Sequence, residues 1–132
     1  MAVVDASVAV RWFIYGVGNE RAAPWLERTD LIAPDFILAE VGNAFWRYIQ
    51  RGHLELEEAT EILKRLPGSF SQLVPIGEVV GDALRLAKEH DHPIYDCCYV
   101  ALAMREGKGL VTLDRGLAKI AGNAGVNAEL LL

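Results

Sequence analysis

The chain has little cysteine and uses it in one place: its two cysteines, Cys97 and Cys98, are adjacent. Neighbouring thiols supply neither a disulfide scaffold nor a spaced zinc motif, so they read as small apolar residues in a reducing compartment. Long apolar runs are missing too. Nothing is long enough to span a bilayer, and no basic region leads into an apolar leader, so the expectation is a soluble cytoplasmic protein with no membrane partner. There is no P-loop glycine/lysine signature and no dinucleotide-binding glycine pattern. Ser7 lacks the strand-turn context of a hydrolase nucleophile, and His90 with His92 reads as a polar approach to a helix. A basic excess is also absent: the formal charge of -5 argues at first against a nucleic-acid partner.

What is present is apolar. A chain of 132 residues with 52% hydrophobic content fits one domain over residues 1–132 with a sizeable core. Val3-Val4 suits a buried strand, followed by a short helix starting beside Ser7 and another over Glu20 to Arg28. Leu31 to Ala33 gives a second strand, with Pro34-Asp35 as a helix entrance. Helices are expected over Phe36 to Arg51, with Gly52 as cap, and over Leu54 to Leu66. A strand around Leu73-Val74 and a helix over Glu78 to Glu89 come next. Pro93 opens a buried helix running to Met104, and Leu110 to Asp114 is a strand ending in an acid. A helix over Leu117 to Ala121 and an edge strand at Val126 to Ala128 close the chain. Alternating strands and helices predict an α/β protein: a three-layer α/β/α sandwich with a mainly parallel central sheet.

Within this apolar chain four acids stand out. Asp5 and Asp114 lie at strand ends, and Glu40 and Asp96 lie in largely apolar helices. Isolated carboxylates are expensive to bury, and convergence would add mutual repulsion. A divalent cation removes both difficulties, and all-oxygen ligands favour Mg²⁺ or Mn²⁺, one or two ions, over zinc. Each acid also has an ordinary explanation: caps for Asp5 and Asp114, first-turn donors for Asp96, an exposed face or an Arg47 pair for Glu40. Ser7 and Thr112 each stand two residues from an Asp, so Thr112 can orient Asp114 or a water, and Asn43 lies one turn beyond Glu40. If the four acids hold cations, 14 acidic residues remain against 13 basic, and net charge no longer excludes RNA. Arg11, Arg47 and Arg115 are candidates for RNA phosphates.

Val4-Asp5-Ala6-Ser7, Ala39-Glu40-Val41 with Asn43, Tyr95-Asp96-Cys97 and Val111-Thr112-Leu113-Asp114-Arg115, in that order, resemble the motifs of PIN-domain ribonucleases. The likeness is greatest to the toxin subunits of VapBC-type toxin-antitoxin pairs. The resemblance implies a PIN-like parallel-sheet sandwich and a Mg²⁺- or Mn²⁺-dependent endoribonuclease. Asp5, Glu40, Asp96 and Asp114 would be catalytic and metal-binding, with Ser7, Asn43 and Thr112 in support. It also implies a homodimer and a small antitoxin partner. The alternatives are a receiver-like phosphoacceptor domain, which also uses strand-end acids and Mg²⁺, and a catalytically inactive module whose acids accept basic groups from a partner. The first strand lacks the adjacent acidic pair of a receiver, and no suitable lysine follows a late strand.

Overall fold

The apolar run before Asp5 forms β1 (Ala2–Val4), and all three residues are buried. In a computed structural model describing residues 1–132, β1 is the middle strand of a five-stranded sheet. On one side lie β2 (Leu31–Pro34) and then β3 (Gln72–Val74); on the other lie β4 (Gly109–Thr112) and then β5 (Ala128–Leu130). Every pairing is parallel. Strands covered on both faces are apolar throughout, as β1 and β2 are, whereas the edge strands β3 and β5 vary in exposure along their length.

Parallel neighbours need crossovers, and the helices supply them. Helices α1 (Ala6–Arg11) and α2 (Asn19–Ala22) lead from β1 to β2, and α3 (Ile37–Gln50) and α4 (Leu56–Arg65) lead from β2 to β3. The chain then returns past β1 through α5 (Val80–His90) and α6 (Ile94–Glu106), and α7 (Arg115–Asn123) joins β4 to β5. Helix α6 packs across β1, β2 and β4 beneath α5, which explains why Cys97 to Ala103 is buried without a break. No helix is long and apolar enough to cross a membrane.

The direction of crossover reverses between β1 and β4. At such a switch point the two chains leave the strand ends in opposite directions and open a crevice, the usual ligand position in an open α/β sheet. Register fixes who stands there. Val4 is level with Val111, and the Asp5 N–H donates to the Val111 carbonyl at 3.3 Å, so Asp5 emerges beside Thr112.

Several boundaries differ from expectation for local reasons. The segment expected as one helix over Glu20 to Arg28 splits into α2 and a 3-10 turn, Ala23–Glu27, because Pro24 cannot extend an α-helical hydrogen-bond ladder. Pro34 is the last residue of β2 rather than a helix entrance, and the Asp35 carboxylate accepts from the Ile76 N–H instead of capping α3. The final strand lies at 128–130, not 126–128. Gly125 turns left-handed (φ 84°) and the Val126 N–H folds back onto the Ala121 carbonyl, so pairing with β4 starts later. Among the aromatic side chains, Phe45 is buried, Trp12 and Phe13 pack on the core, and Trp46 is exposed.

Candidate active site

At the end of β1 the chain turns directly into α1, and Asp5 caps that helix by accepting from the Val8 N–H at 3.4 Å. The cap is one of several restraints. Ser7 donates its hydroxyl to Asp5 Oδ1 at 2.7 Å, and Thr112, from the end of β4, donates to Oδ2 at 2.8 Å. The two hydroxyls in turn take main-chain hydrogens: Leu113 N–H to Ser7 at 2.9 Å and Asp114 N–H to Thr112 at 2.9 Å. Thr112 therefore holds Asp5 across the sheet, not the Asp114 carboxylate that its i, i+2 spacing indicated. Asp5 is 5% exposed, and burial pushes its pKa up to about 7 against the pull of these hydrogen bonds, with Asp96 adding repulsion.

Asp114 caps α7, accepting from the Gly116 and Leu117 N–H groups at 2.8 and 3.1 Å through Oδ1. Glu40, in the first turn of α3, receives the Tyr99 hydroxyl at 2.6 Å. It does not pair with Arg47. Its pKa is raised by burial despite that hydrogen bond, again with Asp96 contributing repulsion. Asp96, in the first turn of α6, has His92 Nε2 2.7 Å from its Oδ2. His92 is thus a partner of an acid rather than only a polar approach to the helix.

These side chains surround one pocket of about 810 Å³, whose walls include Asp5, Glu40, Asp96, Asp114, Ser7 and Asn43. Thr112 lies buried beneath it, and Asn43 makes no hydrogen bond to Glu40. Arg11, Arg47 and Arg51 line the same pocket. Arg11 is braced by the Tyr48 hydroxyl at 3.0 Å and the Ile14 carbonyl at 3.4 Å. Arg115 lines a neighbouring cavity with Gly18 and Asn19, and so stands apart from the other two arginines named with it. Tyr99 does not stand out in the sequence, because a tyrosine in an apolar helix looks like core. Arg51, like Arg11 and Arg47, follows closely after a candidate acid in the sequence.

As the side chains stand, no three acids are close enough to chelate a single ion. Each carboxylate is turned onto at least one donor of the protein. Glu40 Oε2, Asp96 Oδ1 and Asp114 Oδ2 nonetheless carry no protein hydrogen bond.

Acids at the switch point of a small parallel sheet, met from the sequence side by a PIN domain match over residues 2–123, define the class. The chain belongs to the PIN-domain family, in its VapC type. It is 37% identical over 120 residues to Ribonuclease VapC3 of Pyrobaculum aerophilum, covering 89% of this chain and 92% of that protein. Exonuclease VapC9 of the same organism is 34% identical over 112 residues, 82% of this chain and 80% of its own length. The crystal structure of PAE2754 from Pyrobaculum aerophilum superposes with a TM-score of 0.71 at 27% identity, over 96% of this chain and 89% of that one. The receiver-like alternative is set aside by this membership.

Proposed function

We propose that the chain is a divalent-metal-dependent endoribonuclease and the toxin of a toxin-antitoxin pair. The observation that carries this reading is the convergence of Asp5, Glu40, Asp96 and Asp114 on one pocket, with Asp5 buried. The residues fit a hard cation. The pocket offers carboxylate oxygens and no thiol or imidazole, and burial has raised the cost of keeping Asp5 and Glu40 ionised, a cost that a cation would remove. Asp5, Glu40, Asp96 and Asp114 would hold one or two Mg²⁺ or Mn²⁺ ions, with Ser7, Thr112 and Asn43 supporting them. When bound, such an ion supplies an acidified water as nucleophile and neutralises charge on the phosphate.

The protein's own part is to position. Ser7 and Thr112 fix both oxygens of Asp5 at the strand ends, so the deepest acid needs no rearrangement of the main chain. Arg11, Arg47 and Arg51 share the pocket with the acids and would take the phosphates flanking the scissile bond, drawing RNA over an otherwise negative surface. The reaction would leave a 5′ phosphate and a 3′ hydroxyl. The VapC relationship supports a small antitoxin as partner. A homodimer is the proposed assembly, and a cytoplasmic setting agrees with two free cysteines.

The test is incubation of the purified chain with total cellular RNA and with a covalently closed RNA circle, with Mn²⁺, with Mg²⁺ or with chelator. Metal-dependent opening of the circle is expected. Degradation of linear RNA alone would convert the reading to an exonuclease, and cleavage undiminished by chelator would remove the metal. Sedimentation as a monomer at micromolar concentration would remove the homodimer.

A further inference from the structure

Asp96 is the acid that both Asp5 and Glu40 feel, yet its own helix does little to hold it. Helix α6 starts without a side-chain cap, and the Asp96 carboxylate takes no backbone N–H. The single protein donor that reaches it is His92, whose Nε2 lies 2.7 Å from Oδ2. A carboxylate without a proton only accepts, and opposite such an oxygen the hydrogen of this bond belongs to Nε2.

The ring is delivered by a stiff piece of chain. Asp91 ends α5 in the left-handed region, the one non-glycine residue to do so (φ 48°). The His92 N–H then closes on the Ala87 carbonyl at 3.1 Å, and Pro93, with its φ fixed by the ring, follows at once. These restraints set where His92 leaves the main chain, and the side chain reaches one turn along to Asp96. His92 is partly exposed and is not among the residues that line the pocket. Its bond occupies Oδ2 and leaves Oδ1 free.

We propose that His92 is a positioning residue for cation binding, holding Asp96 by Oδ2 so that Oδ1 is presented to a divalent ion in the pocket. A donor behind a ligating carboxylate fixes its direction, and removing such a partner typically weakens metal binding by roughly ten- to a hundredfold. The proposal rests on the nuclease reading above, which requires Asp96 to face a cation.

The experiment measures Mn²⁺ affinity by titration followed by electron paramagnetic resonance, alongside the melting temperature of the same samples. His92→Leu removes the donor and His92→Gln returns an N–H near the Nε2 position. Roughly ten- to a hundredfold weaker Mn²⁺ binding is expected in His92→Leu, with near-normal binding in His92→Gln and melting unchanged in both. In an Asp96→Asn background, His92→Leu should add nothing. Wild-type affinity in His92→Leu would overturn the positioning role while leaving the nuclease reading in place. Absence of Mn²⁺ binding by the unmodified protein would overturn both. Should His92→Leu fail to fold, His92→Ala takes its place: weakened Mn²⁺ binding with unchanged melting supports the positioning role, and wild-type affinity overturns it.

Discussion

Asp5 and Asp114 are held by main chain and hydroxyls at the ends of paired strands, whereas Glu40 and Asp96 are each held by one aromatic or imidazole donor. For the strand-end pair, the sheet register that builds the fold also builds the restraint. Thr112 is beside Asp5 because Val111 is beside Val4. For the helical pair the restraint is a separate side chain, and it can be removed without touching the sheet. One half of the site is therefore as robust as the fold, and the other half is adjustable. Burial follows a different division: Asp5 is enclosed, Glu40 and Asp96 are partly exposed, and Asp114 is at the surface.

Neutralising one acid of each kind separates the two halves of the site. Asp5→Asn and Asp96→Asn should both reduce metal-dependent RNA cleavage to background, but they should part on stability. Asp5 carries the cost of a buried charge and Asp96 does not, so Asp5→Asn should raise the melting temperature of the metal-free protein at pH 8, while Asp96→Asn leaves it nearly unchanged. Equal melting shifts in the two variants would remove the distinction. Loss of folding in Asp5→Asn would mean that its hydroxyl and N–H partners need a carboxylate.

The same burial sets a pH dependence in the unmodified chain. The Asp5 carboxyl moves from an ordinary value of 3.8 to about 7 on folding, so the native state binds more protons than the unfolded state between those limits. Stability is therefore greatest below the unfolded value, falls as pH rises through about 7, and then levels off, a contribution on the order of 4 kcal/mol for Asp5. Glu40 acts in the same direction. Metal-free melting temperatures should fall from pH 5 to pH 8, and Mn²⁺ should restore them at pH 8 more than at pH 5. A flat profile would count against a desolvated Asp5.

The acids are legible in the sequence because each interrupts an apolar stretch, and charge in such a place needs an explanation. The alternation that gives the parallel sheet is legible for a similar reason, since buried strands and amphipathic helices have different periods. The partners are not. Tyr99 sits among Cys97, Cys98 and Val100, where nothing marks its hydroxyl as aimed at a residue 59 positions away. Thr112 points to its near neighbour Asp114, because local spacing is visible in sequence and strand order is not; only the β1–β4 pairing assigns it to Asp5. Arg115 falls in with Arg11 and Arg47 by following an acid, but α7 carries it to the neighbouring cavity.

A smaller effect is expected on the adjustable side. Tyr99→Phe removes the donor on Glu40 while keeping the buried ring, so cleavage should weaken several-fold and recover at high Mn²⁺, with a stability loss of about 1 kcal/mol for the lost hydrogen bond. If cleavage drops without rescue by metal, Tyr99 does more than orient Glu40.

The smallest effects belong to the basic side chains that line the pocket. Arg47 and Arg51 are four residues apart at the end of α3, about one turn of helix, and both line the pocket, whereas Arg105 is turned away and paired with Glu78 at 2.8 Å. A phosphate contact adds to binding without favouring one sequence over another, and each one removed lowers the salt dependence of binding by about one unit of slope. Arg47→Ala and Arg51→Ala should therefore raise KM a few-fold across different RNAs, leave Mn²⁺ affinity and kcat nearly intact, and flatten the salt response, while Arg105→Ala does none of these. If the arginine variants lose kcat instead, the guanidinium groups act on the reacting phosphate itself, and the division between an acidic side that does chemistry and a basic side that holds RNA would have to be redrawn.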